Sequence, residues 1–342
     1  MKLTTKVAAV AAVTCMALAG CSSDNGGGSG SGESGGSNAG NYDITLLPKN
    51  LGNPYFDTSN SGAAEAAGEF NGKITFTGPS AAAADSQVSF INTATQQQVG
   101  AIMIAANDQT AVCDALQEAM DAGVKVVTFD SDAPTCRDLF INQATADGIA
   151  QVLVDMIAEQ IGDSGDIAIL SATANATNQN AWIEVMKTDL AANHPNINLV
   201  EVVYGNDEDQ MSFDKTAALL QTYPNLKGIV APTTVGVAAA ARYLSTSDYK
   251  GKVALTGLGT PNDMRAYIKD GTVTEFALWN PADLGYLATY AAKALIDGDI
   301  TGAKGDTFTA GRLGSFTVGD DSTVLLGDPY KFNADNIDNF NF

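Results

Sequence analysis

The side chains best suited to chemistry stand in short polar runs, each set directly after or close to an apolar segment. Pro48-Lys49-Asn50-Leu51-Gly52-Asn53-Pro54-Tyr55-Phe56 places an ammonium and two amides beside two aromatic rings. Further along come Asp130-Ser131-Asp132, Thr177-Asn178-Gln179-Asn180-Ala181-Trp182, Pro232-Thr233-Thr234 and Leu278-Trp279-Asn280. Carboxylates, amides and an ammonium donate to and accept from vicinal hydroxyls, while flat rings cover the apolar face of a sugar. The expected ligand contacts are therefore Lys49, Asn53, Tyr55, Phe56, Asp130, Asp132, Asn178, Gln179, Trp182, Pro232, Thr233, Thr234, Trp279 and Asn280. Taken alone, Asp130 and Asp132 are equally well explained as turn caps, and Trp182 and Trp279 as core. Lys49 is harder to explain that way: behind a buried strand it faces either solvent or a cleft, and the neighbouring prolines argue for a shaped loop.

Patterns for bond-breaking chemistry are poor. The single histidine, His194, lies in an Asn-His-Pro run that reads as a helix exit, which leaves a Ser-His-Asp triad or a histidine metal site little to build on. No phosphate-binding Gly-x-x-x-x-Gly-Lys-Ser/Thr loop and no Cys-x-x-Cys occur. Asp297-Gly298-Asp299-Ile300-Thr301-Gly302 opens like a calcium loop, but its twelfth position is Phe308 where a bidentate Glu is required. No metal and no cofactor are expected. The paired acids Asp130 and Asp132 leave a secreted sugar-acting enzyme as the catalytic alternative.

The elements that must position these residues follow from hydrophobic patterning. Ile44 to Leu47, Ile74 to Phe76, Ala101 to Ala105 and Val124 to Phe129 read as buried parallel strands. Between them Asp57 to Phe70, Ser86 to Gln98 and Gln109 to Ala122 have helix-forming composition, with Gly72, Gly100 and Gly123 at their exits. A second series starts with a helix near residue 144. Its strands are Ile167 to Leu170, Leu199 to Val203, Gly228 to Ala231 and Val253 to Leu255, again separated by helices. Repeated βα units predict an α/β fold with doubly wound parallel sheets, and two sheets with a cleft between them accommodate the strands better than one very wide sheet. Ligands then bind beyond the carboxyl ends of the strands, where the polar runs stand.

The 342 residues carry 18 Lys and Arg against 39 Asp and Glu, a net charge of -21, so nucleic acid and anionic headgroups are repelled. The N-terminus combines Lys2 and Lys6, the apolar run Val7 to Leu18, and Leu18-Ala19-Gly20-Cys21, which reads as an export signal over residues 1–20. Leu-Ala-Gly-Cys resembles the bacterial lipobox, in which Cys21 is acylated and becomes the first residue. A Gly/Ser tether over residues 21–41 follows, with a reach of roughly 25 Å. Cys113 and Cys136 remain as an even pair in an oxidising compartment, for which a disulfide is expected and two unrelated buried thiols are the alternative. A sugar-responsive repressor of the same two-lobed shape would need a basic helix-turn-helix where the signal and tether stand.

The strings LLPKNLGNPYF, TFDSD, INQAT, TNQNAW and GLGTPNDMRAYIKDGTV, with the lipobox and the βα series, resemble the sugar-binding branch of the type I periplasmic binding proteins. The resemblance covers about residues 42 to 342 and is greatest to the rhamnose-binding and autoinducer-2-binding receptor group of ABC importers, which also carries the cysteine pair. It implies a clam-shell with a three-crossover hinge: one lobe of 42–142 plus 278–306, the other of 143–277 plus 307–342. It further implies a ligand between the lobes and, as partners, an ABC permease with its cytoplasmic ATPase. The expected protein is a monomer on the outer face of the cytoplasmic membrane of a Gram-positive bacterium, held there by its lipid alone. Asn178 and Thr233-Thr234 stand where the autoinducer-2 type has Asp and an Asp-Ala pair. That pattern is similar to the rhamnose type and favours L-rhamnose or a related deoxysugar, with autoinducer-2 or a sugar alcohol as the alternative.

Overall fold

β1 (Asp43–Leu47) is buried from its second residue onward, as a parallel strand covered on both faces must be. It opens a series that continues with α1 (Pro54–Glu69), β2 (Lys73–Phe76), α2 (Val88–Gln96), β3 (Ala101–Ile104), α3 (Cys113–Asp121), β4 (Lys125–Phe129) and β5 (Leu139–Asn142). The second series is α4 (Ala146–Ile161), β6 (Gly165–Ser171), α5 (Thr177–Asn193), β7 (Ile197–Tyr204), α6 (Asp209–Thr222), β8 (Gly228–Ala231), α7 (Thr234–Ser245), β9 (Ala254–Gly257), α8 (Pro261–Lys269) and β10 (Glu275–Leu278). α9 (Pro281–Asp297), the hairpin of β11 (Thr307–Ala310) and β12 (Gly314–Thr317), β13 (Thr323–Leu325) and β14 (Tyr330–Asn333) complete the chain. This computed structural model describes residues 40–342, so the expected export signal, Cys21 and nearly all of the tether lie outside the described residues.

Two sheets form. The first has the order β13-β5-β4-β3-β1-β2, and the second β7-β6-β8-β9, with every pairing in both parallel. β10 continues the second sheet through a parallel bridge between Leu258 and Ala277, and β14 pairs antiparallel with β10. In the first sheet the chain reverses its direction of winding between β1 and β3, and in the second between β6 and β8. Crevices open beyond the strand ends at such points, and the two crevices face each other across the cleft.

The chain crosses between the lobes after β5, after β10 and after β13. One boundary expected from the sequence is corrected here. The resemblance places residues 307–325 in the second lobe, yet β13 pairs in parallel with β5 at the edge of the first sheet, and the hairpin packs on α9. The third crossover therefore lies between β13 and β14. The short strand Thr323–Leu325 carries too little apolar pattern to reveal which sheet it joins.

α1 and α9 touch backbone to backbone, because a side chain at Gly62 would strike the Ala282 carbonyl and one at Gly285 the Ser59 carbonyl. This close approach draws the first turn of α1, with Tyr55 and Phe56, against Trp279 just ahead of α9.

Candidate functional site

The loop after β1 is built to hold Lys49 in place. Gln87 donates from Nε2 to the carbonyls of Pro48 (2.9 Å) and Ala105 (2.8 Å), and Asn107 Nδ2 donates to the Lys49 carbonyl at 2.9 Å. Asn53 then caps α1 by accepting from the Tyr55 amide at 3.1 Å, with Pro54 in the first turn. The Lys49 ammonium is buried and lies 3.1 Å from Asp130 Oδ2. It also donates to Asn178 Oδ1 at 3.1 Å, across the cleft. Asn178 in turn donates to the Asp130 carbonyl at 3.3 Å.

Asp130 adopts a left-handed backbone, with φ of 60°. Aspartate is among the non-glycine residues that adopt that conformation most readily. Here the turn directs the carboxylate into the cleft toward Lys49.

The space between the lobes is narrow: it is about 360 Å³ counting its mouth and the adjoining solvent, of which about 40 Å³ admits the centres of water-sized spheres, so the walls stand close together. Its first-lobe wall is Lys49, Asn53, Tyr55, Phe56 and Asp130; its second-lobe wall is Asn178, Gln179, Trp182, Pro232, Thr233 and Thr234, with Trp279 at the hinge. Trp279 Nε1 donates to the Tyr55 hydroxyl at 2.9 Å, and the Trp182 and Trp279 rings meet edge to face. Burial pushes the Tyr55 phenol well above its usual range, with the Asp130 carboxylate adding to the effect, so it stays protonated. Gln179 Oε1 accepts from Ser171 Oγ at 2.7 Å and from the Ala172 amide at 2.9 Å, which turns its Nε2 into a donor for the cavity.

Two expected contacts are elsewhere. Asp132 faces away from the cavity and forms an ion pair with Arg137, Nε to Oδ1 at 2.7 Å and Nη2 to Oδ2 at 2.9 Å. Arg137 also donates to the carbonyls of Asp321 (2.8 Å) and Ser322 (3.3 Å), so the pair ties the Asp130 loop to the segment before β13. Asn280 caps α9 by accepting from the Ala282 amide at 3.0 Å. Both are polar residues whose local helix or loop consumed their hydrogen-bonding capacity.

Asp207 lines the cavity and was missed. It follows β7, so the strand-end rule that singled out the other residues would have found it. The Cys113 and Cys136 sulfurs are joined, with Cα atoms 5.3 Å apart, which staples the start of α3 to the Asp130 loop. Among the described residues no group of His, Cys, Asp or Glu could hold a metal, and no helix is long and apolar enough to cross a membrane.

Comparison with known proteins agrees with this architecture. A sugar ABC transporter protein from Actinomyces odontolyticus is 56% identical, with a TM-score of 0.71 over 88% of this chain and 97% of that one. An ABC transporter solute-binding protein from Clostridium phytofermentas, solved with bound L-rhamnose, is 41% identical, with a TM-score of 0.84 over 86% of this chain and 97% of that one. LsrB from Clostridium saccharobutylicum, solved with AI-2, is 29% identical, with a TM-score of 0.82 over 88% of this chain and 100% of that one. Residues 44–300 match the family described as periplasmic binding protein domain. With that match across most of its length, the chain belongs to the periplasmic binding protein domain family, and it is a solute-binding protein and not an enzyme.

Proposed function

We propose that this protein is the sugar receptor of an ABC importer and that its ligand is L-rhamnose or a closely related 6-deoxyhexose held between the lobes. The observation that carries this reading is the Lys49 bridge, in which one buried ammonium joins Asp130 of its own lobe to Asn178 of the other. A molecule touching both walls gains its full set of contacts only when the cleft is shut, so it selects the closed state. Closure is the signal read by the permease, whose ATPase drives uptake. The chemistry of the walls suits a neutral polyol. Lys49 donates, Asp130 accepts, Gln179 offers an amide donor, and Tyr55, Phe56, Trp182 and Trp279 form an aromatic surround in which Trp279 can cover the apolar face of the ring.

Asn178 and Thr233-Thr234 favour rhamnose over autoinducer-2, and the 41% identical neighbour with L-rhamnose supports the same choice. The 29% identical neighbour with AI-2 keeps that molecule as the second reading. In this account the protein works outside the cytoplasm, anchored through lipidated Cys21 on a Gram-positive membrane, and acts as a monomer. The test is a thermal-shift panel. L-rhamnose is expected to raise the melting temperature more than autoinducer-2, pentitols or glucose do, and a larger shift with any of those three contradicts the ligand assignment.

A further inference from the structure

We propose that Asp207 and Asn53 form a latch that joins the lobes over the bound ligand. This rests on the receptor reading and adds to it a residue pair with a defined closing role. Asn53 stands at the end of the β1 loop and Asp207 after β7, in opposite lobes. Asn53 Nδ2 nevertheless donates to Asp207 Oδ2 at 3.4 Å. The other carboxylate oxygen of Asp207 accepts from the Thr233 hydroxyl.

Both partners are held in readiness. The Asn53 side-chain oxygen is occupied by the Tyr55 amide, so only its amide nitrogen is left to reach across. Asp207 has φ of 55°, and it and Asp130 are the cavity-lining residues with a left-handed backbone. Asn206 shares the conformation, so the turn after β7 sets the direction of the Asp207 carboxylate. The charged groups facing Asp207 are Lys49 and Asp130.

Outside the cavity lies a second interlobe space, about 660 Å³ with the open solvent at its mouth included, and it shares Asn53, Asp207 and Thr234 with the cavity. The Asn53–Asp207 contact thus stands where the inner space meets the outer one. A ligand shut in the cavity leaves toward the outer groove only after this contact parts.

The test exchanges the roles of the two side chains in the full chain, with L-rhamnose as the probe in calorimetric titration. Asn53→Asp keeps the helix cap, because Asp caps as well as Asn, but sets two carboxylates against each other in the closed state. Its affinity is expected to fall about tenfold or more. Asp207→Asn alone loses the charge but keeps an acceptor and is expected to change affinity less than Asn53→Asp does. The double variant restores a donor and an acceptor in swapped positions and is expected to recover most of the loss. Melting temperatures without ligand should be alike in all four proteins. Unchanged affinity in Asn53→Asp, or a double variant no better than Asn53→Asp, overturns the latch while the receptor reading stands. Absence of binding to wild type overturns the receptor reading, and the latch falls with it.

Discussion

Replacing Lys49 with methionine keeps most of the aliphatic stem and deletes the charge that spans the cleft. The ammonium lies 3.1 Å from Asp130 Oδ2, with the two side chains 9% and 8% exposed, and 3.1 Å from Asn178 Oδ1. Loss of one charge-assisted hydrogen bond costs about 1.5–3 kcal/mol, and stranding a buried carboxylate brings a similar or larger penalty. When the cleft opens, Asp130 regains water, so the penalty falls on closure rather than on folding. Affinity for the sugar should therefore drop on the order of a hundredfold or more, about tenfold to a hundredfold of it from the lost hydrogen bond alone, while the melting temperature of the ligand-free protein changes little. Calorimetric titration paired with a ligand-free melt separates the two effects. Undiminished affinity in Lys49→Met would show that the ammonium serves the empty cleft alone. A collapse of the ligand-free melt would show that the pair is part of the folding core. Either result contradicts a Lys49 bridge that forms on closure.

Asp132→Ala should cost stability, about 1–3 kcal/mol by urea denaturation, because Arg137 loses a carboxylate that receives two of its donors. Reducing Cys113–Cys136, which closes a loop with a sequence separation of 23, should lower stability by roughly 3 kcal/mol, and mass analysis after alkylation should find no free thiol in unreduced exported protein. Binding should also depend on pH. Burial pushes the Asp207 carboxyl above its usual value, against smaller opposing effects from Thr233 and Lys49. A carboxyl raised in the closed state takes up a proton on closing, so its contribution to affinity is fullest below the ordinary carboxylate value of about 4 and declines as pH rises through the raised one. Titrations of wild type and Asp207→Asn across that range check this, with the variant expected to show the flatter profile.

Much of the site was legible because it obeys one rule. Residues just beyond parallel strands face the crevice, and Lys49, Asp130, Pro232 and Thr233 all stand there, ready to be read without any fold in hand. The same reading failed at Asp132 and Asn280, where adjacency in sequence stood in for direction in space. Asp132 sits two residues past Asp130, but the left-handed turn at Asp130 sends the following chain away from the cleft toward Arg137. Asn280 precedes a proline that starts α9, and its cap is a local demand that outweighed the cavity. Asp207 was passed over although it follows β7, since its neighbours Asn206 and Glu208 make the run look like an ordinary polar turn. The third crossover was misjudged for a different reason. β13 has three residues, and membership in a sheet depends on long-range pairing that no short pattern encodes.

The most direct test of the whole account is a titration of L-rhamnose into the purified protein, followed by heat and by analysis of the recovered sugar. A receptor for this sugar binds it saturably one to one, returns it unchanged, and is stabilised by about 2.7 kcal/mol at a hundredfold excess of free ligand over Kd. Absence of saturable binding for L-rhamnose and for every neutral monosaccharide tried, or recovery of a chemically altered sugar, would contradict the receptor reading.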